Sequence, residues 1–211
     1  MDKIRLKDKE FELFIPEKEI KDAIAKMAKQ IKADVGDTNP LFVGILNGAF
    51  MFTAELMRQM DTQSAHTLAA WAIACARARY LPLFEAACPG DARPRAALDA
   101  AQAAQSGARP LREAKAAARE ANACAKAPLP PAGEAAARAC AVAASALWNP
   151  ASALGMVFYG AAASVYAAHG ADLPAADCDR EAQREFAWLL DSLRAASVPD
   201  EPNPAKIRWN C

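Results

Sequence analysis

From Asp61 to Cys211 about a third of the residues are alanine, which constrains what this part of the chain can become. Alanine has the best helix propensity of any residue but buries little apolar area. A fold written this way must be helical, and its helices must approach closely. Scattered Trp, Phe, Leu and Tyr side chains then supply most of the burial. Composition changes abruptly at the same point. Residues 1–60 carry eight lysines and two arginines, whereas 61–211 carry three lysines and twelve arginines. No short-period repeat accounts for the switch. It reads as two segments of different ancestry, 1–60 and 62–211.

The helices of the second segment can be placed from periodicity and punctuation. Leu68, Trp71, Ala72, Cys75 and Arg79 recur at i, i+3, i+4 and i+7 spacing, one apolar stripe with an arginine at its end. Arg77 falls on the opposite side. Pro82 has no N–H to donate and is expected to bend or restart this helix, with Leu81, Leu83 and Phe84 as large anchors. Pro89-Gly90 breaks the chain. Asp91 is placed to cap the next helix, which accommodates Pro94 in its first turn. That helix runs from Arg93 to Gln105 and ends at Ser106-Gly107. Further helices are expected from Pro110 to Lys126, Glu134 to Trp148, Ala151 to His169 and Ala175 to Ala196. The last should face inward through Phe186, Leu189, Leu190 and Leu193. From Ser197 onward the tail is too rich in proline to be helical.

Composition also excludes classes of function. The formal net charge is zero, so no overall field draws nucleic acid or an anionic membrane. Met1-Asp2-Lys3 opens no apolar leader segment, and the chain reads as cytoplasmic. Six cysteines lie scattered without a C-x-x-C pair, beside only two histidines. No metal and no cofactor are therefore expected, and the cysteines read as reduced thiols. Between Arg138 and His169 no residue is charged, a length sufficient for a membrane span. Asn149-Pro150 cuts it in two, however, and the Gly155/Gly160 spacing is wrong for a G-x-x-x-G contact. A buried central helix pair is the better reading.

The first segment parses as β-α-β-α. Phe11 to Ile15 alternates like a short strand and stops at Pro16. Glu17 to Lys32 carries Ile20, Ile24, Met27, Ala28 and Ile31 at helical spacing, and Leu41 to Leu46 suits a buried parallel strand. Asn47-Gly48-Ala49 then turns into a helix bearing Phe50, Phe52, Leu56 and Met60. Such a turn aims unpaired N–H groups where an anion can bind, although glycine also serves a tight turn for its own sake. Two parallel strands alone cannot form a stable sheet. The piece must dock on the helices, pair with another copy or stay poorly ordered, with a protease-sensitive seam near Asp61–Ala65.

Both segments resemble known families. Residues 1–60, through KEFELFIPEKEI, NPLFVGILNGAFMF and AELMRQM, resemble the N-terminus of bacterial hypoxanthine phosphoribosyltransferase. In that family the loop matching Leu46, Asn47, Gly48 and Ala49 contacts pyrophosphate. The family's ribose-phosphate loop, an apolar strand ending in two adjacent acids and then Asp-Thr-Gly, has no counterpart here. Asp200-Glu201 lies among prolines, and Gly36-Asp37-Thr38 has the wrong order. The mobile Ser-Tyr loop and the purine-holding lysine and aromatic are missing too. Nothing would then stabilise the charge that develops in the reaction, so no transferase activity is expected.

Residues 62–211 resemble the Imm-five-like putative immunity proteins of bacteria. The resemblance rests on LAAWAIACARARYLPLFEAACPGDARPRAALDAAQA, PLREAKAAAREANACA and the closing NPAKIRWNC. It implies a non-catalytic helical protein that binds and blocks a cognate toxin. Relatives often carry histidines in the stretch matching Ala121 to Leu154, where this chain has none. The signature residues Trp71, Phe84, Arg93, Arg95, Lys206, Trp209 and Asn210 become candidates for partner contact. Each also has a plainer reading. Trp71 and Phe84 read first as core anchors, and Arg93 with Arg95 as a solvated face or helix–helix salt bridges. Trp209 is open between docking on the bundle and meeting a partner. The fold class expected is mainly α, an Ala-rich multi-helix bundle preceded by a short β-α-β-α fragment of a phosphoribosyltransferase-like fold. Two other functions remain beside toxin binding: an inactive transferase relative, or a fusion in which neither half keeps its ancestral role.

Overall fold

The computed structural model describes residues 4–6, 9–11, 22, 26, 49–172, 174–207 and 209. The chain divides into two compact units, Met1–Gly44 and Ile45–Cys211. In the first, β1 (Ile4–Leu6) and β2 (Lys9–Phe11) pair antiparallel, with Ile4 opposite Phe11 and Leu6 opposite Lys9. The strand read from Phe11 to Ile15 thus meets a described strand only at Phe11, and that strand belongs to an antiparallel pair. Asp22 and Lys26, inside the expected Glu17–Lys32 helix, are helical and exposed. The rest of the β-α-β run, including Leu46, Asn47 and Gly48, lies outside the described residues.

The second unit is helical. Its elements are α1 (Ala49–Met60), α2 (Ala65–Cys75), a π-helical turn (Ala76–Tyr80), α3 (Leu81–Ala87) and α4 (Arg93–Gln105). They are followed by α5 (Leu111–Cys124), α6 (Pro131–Ser145), α7 (Ser152–His169) and α8 (Ala175–Ala196). Proline, rather than a hydroxyl or carboxylate cap, opens most of them. Pro82, Pro94 and Pro131 sit in the first turns of α3, α4 and α6, and Pro110 and Pro174 immediately precede α5 and α8. At Pro94 and Pro131 the first-turn N–H groups have no helical partner, so proline's missing donor costs nothing there, whereas Pro82 follows the π turn without a break in the helix. Ser64 is the exception: its hydroxyl accepts the Thr67 N–H at 3.2 Å to start α2. Asp91 is not the cap residue of α4, a place held by Ala92; its carboxylate instead accepts the Arg93 N–H at 3.1 Å.

Alanine decides which helix lies at the centre. α6 packs against α7, α5, α4, α3 and α2, and Ala135, Ala136, Ala137, Ala139, Ala141, Ala143 and Ala144 are all buried along it. A helix touched on nearly every side must keep its side chains small for its neighbours to reach it. The uncharged run that was long enough for a membrane forms the α6–α7 pair, the most extensive helix contact of the unit. Among the described residues no helix is long and apolar enough to cross a membrane.

α1 packs on α8 and buries Leu56 and Met60 completely. The turn after it, expected to be a cleavable seam, is bonded to the tail. Gln63 is buried; its backbone carbonyl accepts the Ala205 N–H at 2.7 Å, and its side-chain carbonyl accepts the Val198 N–H at 2.7 Å. Buried backbone of this kind is a poor protease substrate.

Candidate functional site

Pro82 produces the local irregularity on which the site depends. A proline inside a helix cannot donate to the carbonyl four residues back, here Ala78, and its ring presses on that carbonyl. The helix widens just upstream: the Leu81 N–H reaches back five residues to the Ala76 carbonyl, closing a π-helical turn. The turn carries Arg79 and Tyr80 to α8. The Tyr80 hydroxyl donates to Glu185 Oε1 at 2.9 Å, and Arg79 Nη2 donates to Oε2 at 2.7 Å. Glu185 is 4% exposed, so both carboxylate oxygens are satisfied away from water. Burial, followed by the Glu185 charge, pushes the Tyr80 hydroxyl far above its ordinary range.

Tyr80 fits only because α7 has a glycine beneath it. A Cβ on Gly160 would lie 2.2 Å from Tyr80 Cζ. Above the buried carboxylate, the Arg79 guanidinium stacks over the Trp188 ring at 4.3 Å, within cation–π range. Further along, Trp71 Nε1 donates to Ser192 Oγ at 2.9 Å, and Ser192 donates to the Leu189 carbonyl at 2.8 Å. Burial raises the neighbouring Cys75 thiol to about 11, so it stays protonated at neutral pH. Between α2 and α8 these side chains line an open groove of about 540 Å³, bounded also by His66 and Thr67. Its hydroxyl and thiol are engaged internally. What it offers outward is shape and two indole rings, one of which, Trp188, carries the half-exposed Arg79 guanidinium stacked on it.

The chain matches the family described as Imm-5 like putative immunity protein over residues 58–192. It belongs to that family. No curated protein and no solved structure matches it. The matched span of this Imm-5 like chain begins in the last turn of α1 and ends at Ser192, so it contains the whole π turn and most of the groove. It stops short of Lys206, Trp209 and Asn210, which sequence alone had placed inside the resemblance.

The signature residues do not converge. Trp71 is 3% exposed, and its indole forms part of the groove wall. Phe84 is fully buried in a separate cluster with Cys124, Ala136 and Ala163. Arg93 clasps Asp91 through its guanidinium, which holds that carboxyl well below the usual range. Cys124 donates to the same carboxylate at 3.3 Å. Arg95 makes a bidentate pair with Glu85 at 2.7 and 2.8 Å, bridging α3 and α4. Trp209 is half-buried and donates to Asp61 at 3.1 Å, tying the tail to the α1–α2 turn. Lys206 is exposed and Asn210 lies outside the described residues, while Ala49 is the first residue of α1. Among the described residues no group of three or more His, Cys, Asp or Glu side chains could hold a metal ion. Sequence reasoning passed over Tyr80, Glu185, Trp188 and Ser192, and weighed Gly160 only for a membrane-helix contact. Glu185, Trp188 and Ser192 do stand at i, i+3 and i+7 on α8, a stripe beside the leucine stripe that was noticed.

Proposed function

We propose that this chain is an immunity protein that binds a cognate bacterial toxin and blocks it by covering its surface, with no catalytic residue of its own. The family membership over residues 58–192 carries the reading. The groove supports it physically: Trp and Arg are the residues most enriched at binding hot spots, and Arg79 and Trp188 are held in place before any partner arrives. Such preorganisation lowers the entropic cost of association. On this reading Trp71 and Phe84 hold the bundle together, Arg93 clasps Asp91 ahead of α4, Arg95 braces α3 against α4, and Trp209 ties the tail to the α1–α2 turn. Residues 1–60 remain a transferase-like start by sequence, joined to an immunity domain over 62–211, and the whole acts in the cytoplasm.

Co-expression with the toxin-like product of an adjacent gene tests the proposal. Cells should survive, and the two proteins should purify together. Cell death with full expression of the chain would refute it. Formation of nucleotide from hypoxanthine and phosphoribosyl pyrophosphate would revive the transferase reading instead.

A further inference from the structure

Nine arginines of the second unit have a carboxylate oxygen between 2.5 and 3.1 Å from the guanidinium. Among the arginines whose side chains are described, those without one are Arg109, Arg112 and Arg119. All three lie on or just before α5, and all are exposed. Lys115 and Lys126, also exposed, have no carboxylate partner either. From Arg109 to Lys126 five cations face two acids, a local charge of +3 in a chain whose total is zero.

The arrangement along α5 is specific. At about 100° per residue, Arg112, Lys115 and Arg119 fall within an arc of about 60° and span about 10 Å of helix. Glu113 and Glu120 lie about 80–100° round the helix, on the flank. Arg112 and Lys115 are three apart, and Lys115 and Arg119 four apart, so like charges stack on like, which destabilises a helix. The other exposed positions three or four away on the helix are Leu111, Ala116, Asn122 and Ala123, where a single carboxylate would have relieved the repulsion. α1 and α8 place such carboxylates: Glu55 serves Arg58, Asp177 serves Arg180 and Glu181 serves Arg184. A local rule kept elsewhere and broken on one exposed face marks a functional surface. Trp148 adds an aromatic at its edge, with Lys115 Nζ 5.7 Å from the ring centroid.

From this we infer that the exposed side of α5 is the docking face for an acidic protein surface, one that presents carboxylates along a line of about 10 Å. This rests on the toxin-binding reading and gives the toxin's contact surface a sign. A chain that plugged a cationic nucleic-acid cleft would have to present carboxylates; this face presents the opposite charge. Nucleic acid is the poorer occupant. Duplex DNA carries a negative charge every ~1.7 Å, far denser than three cations on ~10 Å, and Glu113 and Glu120 would repel its phosphates. A second copy of this chain is disfavoured as well, because four of the five acids of its most acidic helix, Asp177, Glu181, Glu185 and Asp191, already have arginine partners, and the fifth, Asp179, has one carboxylate oxygen buried.

The test uses the full chain, fluorescent poly-L-glutamate of about 20 residues, and a 20-base-pair duplex at low salt, where screening is weak. Arg112→Glu/Arg119→Glu should weaken poly-glutamate binding by about tenfold or more. Arg180→Glu/Arg184→Glu, an equal charge change on paired arginines, should leave it nearly unaltered. Arg112→Gln/Arg119→Gln gives the same comparison should the reversal fail to fold, as monitored by circular dichroism. Equal losses from both reversals, no binding of poly-glutamate, or tighter binding of the duplex would each overturn the inference. Sedimentation of the wild-type chain as a dimer that the α5 reversal dissolves would overturn it too, in favour of self-association. In the toxin co-expression assay, protection by the wild type but not by the α5 reversal supports it. Equal protection by both sinks this face and leaves the immunity reading standing. Failure of the wild type to protect sinks the immunity reading, and the poly-glutamate titration alone then decides whether α5 takes acidic partners.

Discussion

The contact between α2 and α8 and the exposed side of α5 are written in the same residues, arginine and alanine with an occasional tryptophan, yet they use charge in opposite ways. Around the π turn, Arg79 is bonded to a buried Glu185, which Tyr80 also holds. On α5 the arginines are exposed and meet no carboxylate among the described residues. The packing differs in step. Tyr80, Leu189 and Leu193 fill the first region, whereas α5 buries only Ala114, Ala118, Ala121 and Cys124. The difference separates a region where change should cost stability from one where it should cost binding.

The largest effect should come from removing Tyr80. It is fully buried, so Tyr80→Ala should cost roughly 3–5 kcal/mol in chemical denaturation, from a cavity together with a carboxylate stripped of a donor. Two glycines of α7 give a matched pair. Gly160→Ala drives a methyl into the Tyr80 ring and should destabilise by about 1–3 kcal/mol. Gly155→Ala meets Val142 at 3.7 Å, an ordinary contact, and should stabilise by up to about 1 kcal/mol through helix propensity. Equal effects at the two positions would show that the Tyr80 seat is not as tight as the geometry requires.

Stability should also depend on pH from both ends. Burial raises the thiols of Cys75 and Cys140 from 9.0 to about 11 and about 12. An unfolded chain would release these protons near pH 9 while the folded one keeps them. The contribution is therefore complete below pH 9 and lost between about 9 and 12, a decline that Tyr80 reinforces. Glu55 behaves inversely: Arg58 and then Arg194 hold it at about 2 against an ordinary 4.5. Its contribution is present above pH 4.5 and lost as pH falls toward 2. Melting temperature against pH should accordingly fall on both limbs. Cys140→Ala should soften only the alkaline one. The smallest expected change is on α5, where Arg112→Glu/Arg119→Glu should shift unfolding free energy by no more than about 0.5 kcal/mol.

Much of the second unit was legible because its signals are local. α4 and α8 span Arg93–Gln105 and Ala175–Ala196, the limits periodicity and punctuation placed on them. Gly107 and Gly170 terminate helices at positive φ, as stop signals of this kind should. Arg77 and Arg79, read as lying on opposite sides of α2, pair with Asp99 on α4 and with Glu185 on α8. What periodicity could not show was the π turn. Pro82 announced a break, but only the packing of Tyr80 over Gly160 resolves it into a widened turn rather than a kink. The binding surface was the least legible part. Family signatures drew the eye to residues that hold the bundle together, whereas the α5 stripe emerges only once the described arginines outside the Arg109–Lys126 stretch have found their partners.

The most direct measurement is survival of cells that co-express the adjacent toxin-like protein with the Arg112→Glu/Arg119→Glu chain, read beside the melting temperature of the same variant. An unaltered melting temperature with lost protection is the predicted result. Full protection by a folded charge-reversed chain would contradict the account.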